Sequence, residues 1–191
     1  MSPEEHILLK ERKNVMLENG IIMLMRDWSF KYNMIVKGII DEDFVNYKKC
    51  SMTIMFPYCS FKCEKECGKQ VCQNSKLAKS PEIEVFISDI IKRYKNNIYS
   101  ESIVCQGLEP FDSWPDLYSL VISIRCEGIE DDIVIYTGYR EDEISDKIDR
   151  LKKYKNIIVK FGRYIPDREK HYDEVLGVEL ASDNQYAEKI S

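Results

Sequence analysis

Four cysteines fall within fourteen residues, Cys59, Cys63, Cys67 and Cys72, directly after an apolar run. Thiolates packed this densely repel one another unless a cation or an inorganic cluster neutralises them, and zinc and iron–sulfur clusters both do so. Three readings compete. A structural zinc site would use all four cysteines, yet such sites usually bring two pairs from separated knuckles. Free thiols in a plain loop are the bland reading. An iron–sulfur cluster is the third, and it leads. The chain as a whole carries seven cysteines. It opens on the acidic, polar Met1-Ser2-Pro3-Glu4-Glu5-His6, without the positive charge and apolar run of a secretory signal. A cytoplasmic location is therefore expected, where thiols stay reduced and metal or redox chemistry outranks disulfides.

These residues need a scaffold. With 191 residues, 44% hydrophobic and 32% charged, the chain has the make-up of one soluble globular domain, with room for a short extra arm. A chain of this size buries about 70% of its unfolded surface, so a core forms without staples. A net charge of −5 argues against nucleic-acid wrapping. No apolar stretch approaches the roughly 20 residues that span a bilayer, so no membrane role is expected.

Residues 3–18 show helical spacing through Ile7, Leu8, Val15 and Met16, with Asn19-Gly20 as a stop. Strands are expected over 34–40, 51–56, 102–106, 132–136 and 156–161. Between them, Ile83, Phe86, Ile87, Ile90, Ile91 and Tyr94 repeat at helical spacing after Ser80-Pro81. Trp114, Leu117, Tyr118, Val121 and Ile124 form a second stripe, and Ile144, Ile148 and Leu151 a third. Alternating strands and helices predict an α/β fold with a parallel sheet and right-handed crossovers. The chain is too short for a full eight-unit barrel of about 250 residues, which leaves a partial barrel or an open parallel sheet. Either would gather the segments 57–74, 107–112, 137–140 and 162–166 on one rim, at the carboxyl ends of the strands.

On these motifs the sequence resembles the radical S-adenosylmethionine enzymes, and among them the activating proteins of anaerobic ribonucleoside-triphosphate reductases. In that superfamily a loop after the first barrel strand carries three cysteines, commonly spaced C-x3-C-x2-C. Cys59 and Cys63 match the first pair. The third position is Cys72 or Cys67. Cys72-Gln73-Asn74 matches the Cys-x-Asn ending of the activating proteins, which favours Cys72 and a six-residue insertion. Gln106-Gly107-Leu108-Glu109-Pro110 resembles the Gly-Gly-Glu-Pro segment, with Gln106 for the first Gly and Leu108 inserted. Tyr136-Thr137-Gly138-Tyr139 looks like a Thr-Gly-Tyr segment of the same proteins, although Thr-Gly is also simply a good turn. Gly162-Arg163-Tyr164-Ile165, Leu176-Gly177-Val178 and Ser182-Asp183-Asn184-Gln185 resemble their closing segments, without an assigned role.

The resemblance spans residues 34–190 and implies an open, partial parallel βα barrel over 34–191, with 1–33 as an N-terminal helical extension. It implies a [4Fe-4S] cluster on Cys59, Cys63 and Cys72, with Cys67 the alternative third ligand. The fourth iron would be chelated by the amino and carboxylate groups of S-adenosylmethionine. Val71, Gln73, Asn74, Gln106, Gly107, Glu109, Pro110 and Thr137 are the implied cofactor-binding residues, Glu109 as an acceptor for an ammonium. It further implies a glycyl-radical partner, the large subunit of an anaerobic ribonucleotide reductase, and an electron donor such as flavodoxin or ferredoxin. The rivals are an activator of another glycyl-radical enzyme, a small-molecule radical enzyme, and a non-catalytic zinc or iron–sulfur module.

Other residues are set aside. Cys50, Cys105 and Cys126 read as core thiols. His6 lies in an acidic terminus, and His171 is a weak acid–base candidate. Lys152-Lys153-Tyr154-Lys155 reads as a solvated helix end.

Overall fold

The computed structural model describes residues 32–191. The helix expected over 3–18, and nearly all of the extension expected over 1–33, lie outside the described residues. Asn33, placed in that extension, opens a strand instead.

The central sheet has six strands: β2 (Gly38–Asp43), β3 (Ser51–Phe56), β5 (Ser102–Gly107), β6 (Asp132–Tyr136), β7 (Ile157–Phe161) and β10 (Tyr186–Lys189). Their order across the sheet is β10-β7-β6-β5-β3-β2. β3, β5, β6 and β7 run parallel as successive neighbours, while β2 and β10 close the two edges antiparallel. Among the described residues the sheet is open, with no pairing that joins β2 to β10. Two small antiparallel pairs stand apart, β1 (Asn33–Val36) with β4 (Ile83–Phe86), and β8 (His171–Asp173) with β9 (Val178–Leu180).

The helices are α1 (Lys62–Cys67), α2 (Ser75–Ala78), α3 (Ile87–Asn96), α4 (Trp114–Cys126) and α5 (Ser145–Leu151). Ile54 and Phe56, Ile103 and Cys105, Ile133 and Ile135, and Ile157 and Val159 alternate onto one face. There they meet Ile87, Ile90 and Ile91 of α3, Leu117, Leu120 and Ile124 of α4, and Ile148 and Leu151 of α5. Strand order that advances in one direction, with every crossover of the same hand, puts all the connecting helices on the same side. The opposite face is smaller: Val104, Val134 and Ile158 lie under Tyr47, Leu176 and Leu180. Among the described residues, no helix is long and apolar enough to cross a membrane.

Two expected elements are corrected. The strand over 34–40 is two strands broken at Lys37. Met34 and Val36 are buried on the helix side, whereas Gly38, Ile39 and Ile40 pair with β3. Lys37 makes the change of sheet, its N–H on the Met55 carbonyl at 2.7 Å and its ammonium on the Ser80 carbonyl at 2.7 Å. The helix expected from Ser80-Pro81 begins only at Ile87. Residues 83–86 pair with β1 as β4, leaving Ile83 and Phe86 exposed, a case of tertiary pairing overriding local pattern. The closing segments after β7 are joined by three further short strands, β8, β9 and β10. Of the thiols assigned to the core, Cys105 is fully buried, but Cys50 and Cys126 are half-buried.

Candidate metal and cofactor site

β3 delivers the chain to the rim at Phe56, and Pro57 stops the ladder. Cys59 follows. Phe61 takes a left-handed turn (φ 52°) into α1, which carries Cys63 in its first turn and Cys67 in its last. Gly68 ends the helix, its N–H on the Glu64 carbonyl. Cys72 follows in the loop before α2.

Local hydrogen bonds order this loop. The Phe61 N–H donates to Cys59 Sγ at 3.2 Å, and the Cys72 N–H to Glu64 Oε1 at 3.1 Å. Burial pushes the Cys59 thiol up to about 12 and raises the Cys63 thiol, with the neighbouring Cys72 a further cause for Cys63. Cys63 is thus the electrostatic neighbour of both Cys59 and Cys72. Cys67 is the exposed member, its Sγ against the carbonyls of Glu64 and Lys69. Among the described residues, no three His, Cys, Asp or Glu side chains already form a cage for a metal ion. The donor chemistry fits a metal group: Cys59, Cys63 and Cys72 are half-buried soft sulfurs from one loop.

The structure joins the four rim segments. Asn74 Nδ2 donates to the Gly107 carbonyl at 2.6 Å, and the Glu109 N–H to the Tyr58 carbonyl at 2.7 Å. The Ser60 N–H donates to Asp112 at 2.6 Å. The cysteine loop is thereby fastened at both ends to the segment after β5. Gly107 (φ 102°) permits this approach, since a Cβ there would stand 2.8 Å from Phe56 N.

Glu109 braces the next junction. Its Oε1 accepts from Phe111 N–H (3.1 Å) and Thr137 Oγ1 (2.8 Å), and its Oε2 from Gly138 N–H (2.8 Å). Three of about four acceptor positions on the carboxylate are filled by the protein. Thr137 is likewise engaged, giving its proton to Glu109 and accepting the Tyr139 N–H. Gln106, next to last in β5, is half-buried, Pro110 is buried in the turn that follows, Val71 is half-buried and Gln73 exposed.

Sequence reasoning missed several members. Lys160 is buried in β7 and donates to the Gly162 carbonyl at 2.9 Å; burial lowers it to about 8, partly offset by the charge of Glu109. A lysine inside an otherwise apolar strand was the signal available. Arg163, left without a role, makes a two-pronged pair with Glu143, both contacts at 2.7 Å. That guanidinium holds the Glu143 carboxyl down at about 2. Tyr139 donates to Asp112 and stacks under Lys62, whose ammonium lies 4.3 Å from the ring centre. His171 lies in β8 and is not drawn into these contacts.

A cleft of about 730 Å³ opens beside the loop, lined by Cys63, Glu66 and Cys67 on one side and by Arg140, Arg163 and Asn184 among others. A second hollow, of about 560 Å³ and lined by Asp41, Arg93 and Tyr99, involves none of the motif residues.

Burial raises Glu109 from 4.5 to about 7. The native chain then holds a proton that the unfolded chain has lost, so this group's stabilisation is full below about pH 4.5 and is lost as pH rises through about 7. Glu109→Gln is expected to flatten that part of the stability–pH curve. It should also cost about 1–3 kcal/mol, because an amide –NH2 would face one of the three donors. Urea midpoints measured from pH 5 to 8 check both; an unchanged slope would remove Glu109 from the titration.

A family model described as a 4Fe-4S single cluster domain matches residues 47–185, a span that holds all four cysteines of the loop and every rim segment. No curated protein matches the chain.

Proposed function

This chain belongs to the family of 4Fe-4S single cluster domains, and on that basis we propose that it is a radical S-adenosylmethionine activating enzyme. The observation that carries the reading is the Asn74–Gly107 hydrogen bond, which ties the cysteine loop to the segment resembling Gly-Gly-Glu-Pro. The four parallel strands in chain order, with helices on one face, support an open partial barrel of the radical type.

Cys59, Cys63 and Cys72 would hold the cluster, leaving one iron for S-adenosylmethionine. Held by those thiolates and reduced, such a cluster would supply the one-electron chemistry for reductive cleavage of S-adenosylmethionine. The protein contributes ligation, orientation and exclusion of water. Asn74 fixes the Gly107 carbonyl at the end of β5, where side-chain-free backbone can approach a ligand closely. Glu109 and Thr137 keep the ends of β5 and β6 in register beneath the site, with one acceptor position of Glu109 left for an ammonium. Arg163 and Glu143 hold the segments after β7 and β6 together at the cleft wall. No side-chain acid or base is needed, because the chemistry is hydrogen-atom abstraction.

The proposed substrate is a glycine in a partner glycyl-radical protein, the large subunit of an anaerobic ribonucleotide reductase, with flavodoxin or ferredoxin as electron donor. The direct experiment is 5′-deoxyadenosine formation by the anaerobically reconstituted, dithionite-reduced protein given S-adenosylmethionine. Formation that depends on bound iron is expected. A four-iron protein that forms none, with the reductase present, would make this chain a non-catalytic cluster module.

A further inference from the structure

A four-iron cluster takes four ligands, and thiolates commonly supply all four. The loop carries a fourth thiol, Cys67, that the reading above leaves unused. Cys63 and Cys67 stand at i and i+4 on α1, so they face the same side with Cβ atoms about 5–6 Å apart. Both line the 730 Å³ cleft. Cys67 is the exposed cysteine of the loop and sits at the helix end beside Gly68, held by sulfur contacts of 3.7 and 3.3 Å to two carbonyls. It can move without breaking any packing of the core.

Across the same cleft, Arg163 is already paired with Glu143 at 2.7 Å and with Glu66 at 3.4 Å, which leaves Cys63 and Cys67 as the cleft's soft donors.

We propose that Cys67 is an exchangeable fourth ligand: its thiolate closes the cluster at rest, and S-adenosylmethionine displaces it. On closing, the Cys67 thiol loses its proton to solvent and forms a sulfur–iron bond. On opening, that bond breaks, the amino and carboxylate groups of S-adenosylmethionine take the iron, and the thiolate is free to regain a proton. No electron changes hands. The proposal rests on the cluster and S-adenosylmethionine reading above, and it assigns the extra cysteine a guarding role.

The test uses the full chain, reconstituted anaerobically with iron and sulfide, and reads Cys67 alkylation by iodoacetamide through peptide mass. Cys67 is expected to be protected in the cluster-loaded protein, freely alkylated in the iron-free protein, and uncovered again when S-adenosylmethionine is added. In parallel, Cys67→Ala without S-adenosylmethionine is expected to lose one iron per cluster on ferricyanide oxidation, giving a three-iron paramagnetic signal that the parent chain resists. A loaded cluster that leaves Cys67 as reactive as in the iron-free chain, or a parent chain that loses iron as readily as the variant, overturns the guarding role and leaves the radical reading intact. Protection that S-adenosylmethionine does not relieve overturns the exchange. Failure of the parent chain to hold four irons would instead sink the cluster assignment, and this proposal with it.

Discussion

Alanine at Cys59, Cys63 or Cys72 is expected to reduce cluster content and 5′-deoxyadenosine formation to background while leaving the polypeptide folded. The first half follows from stoichiometry. On the proposed reading S-adenosylmethionine takes one iron and displaces Cys67, so each loss leaves a second iron without a protein ligand. The second half follows from position. These cysteines are half-buried on a rim loop, outside the cluster of side chains from Met34 to Phe161 that forms the main core. Iron and sulfide analysis with visible absorption reads the first, and far-ultraviolet circular dichroism of the iron-free protein reads the second. Retention of a full cluster by Cys72→Ala would transfer the third ligand position to Cys67.

Gly107→Val should be among the most destabilising single changes in the sheet, at roughly 2–5 kcal/mol. Two costs coincide. The residue has φ 102°, where a branched side chain is strained, and its Cβ would lie 2.8 Å from Phe56 N and 2.9 Å from Met55 Cα. Both obstructing atoms are backbone of β3, which cannot swing aside. Gly128→Ala is the control: it shares a positive φ (74°) but has nothing within 4 Å of the added Cβ, so about 1 kcal/mol is expected. Denaturant midpoints separate the two. Equal losses would mean that the strand-to-strand approach is not tight. Because Gly107 also presents the carbonyl that receives Asn74, the valine variant should hold its cluster less firmly even where it folds.

Much of the fold could be read from local pattern. The runs 51–56, 102–106 and 132–136 are short, apolar and bounded by turn residues, and each sits in a strand of the sheet. The stripe from Trp114 to Ile124 has helical period and lies in α4. The misreadings came from long-range pairing. Ile83 and Phe86 fit the helical spacing of Ile87, Ile90 and Ile91, yet a strand 50 residues earlier in the chain, Asn33 opposite Phe86 among its pairs, recruits them. The motif residues Asn74 and Gly107 were legible by type, but not the bond between them. The Glu143–Arg163 pair was not legible: Arg163 stood in a closing segment without a role, Glu143 in no motif, and the two come from segments after different strands.

The order of the strands across the sheet bears on how the chain is made. From β3 through β5 and β6 to β7, each parallel strand pairs with the one synthesised just before it. A nascent chain can therefore add strands one at a time to a growing edge, without waiting for distant sequence or undoing earlier pairs. The exposed edge moves with synthesis and ends at Ile157–Phe161, all five residues of which are buried in the finished protein. Until Tyr186–Lys189 arrives to cover it, that strand is an uncharged-faced template for a neighbouring chain, apart from Lys160. β10 thus does for β7 what pairing does for the inner strands: it covers the ladder groups on which another chain could build.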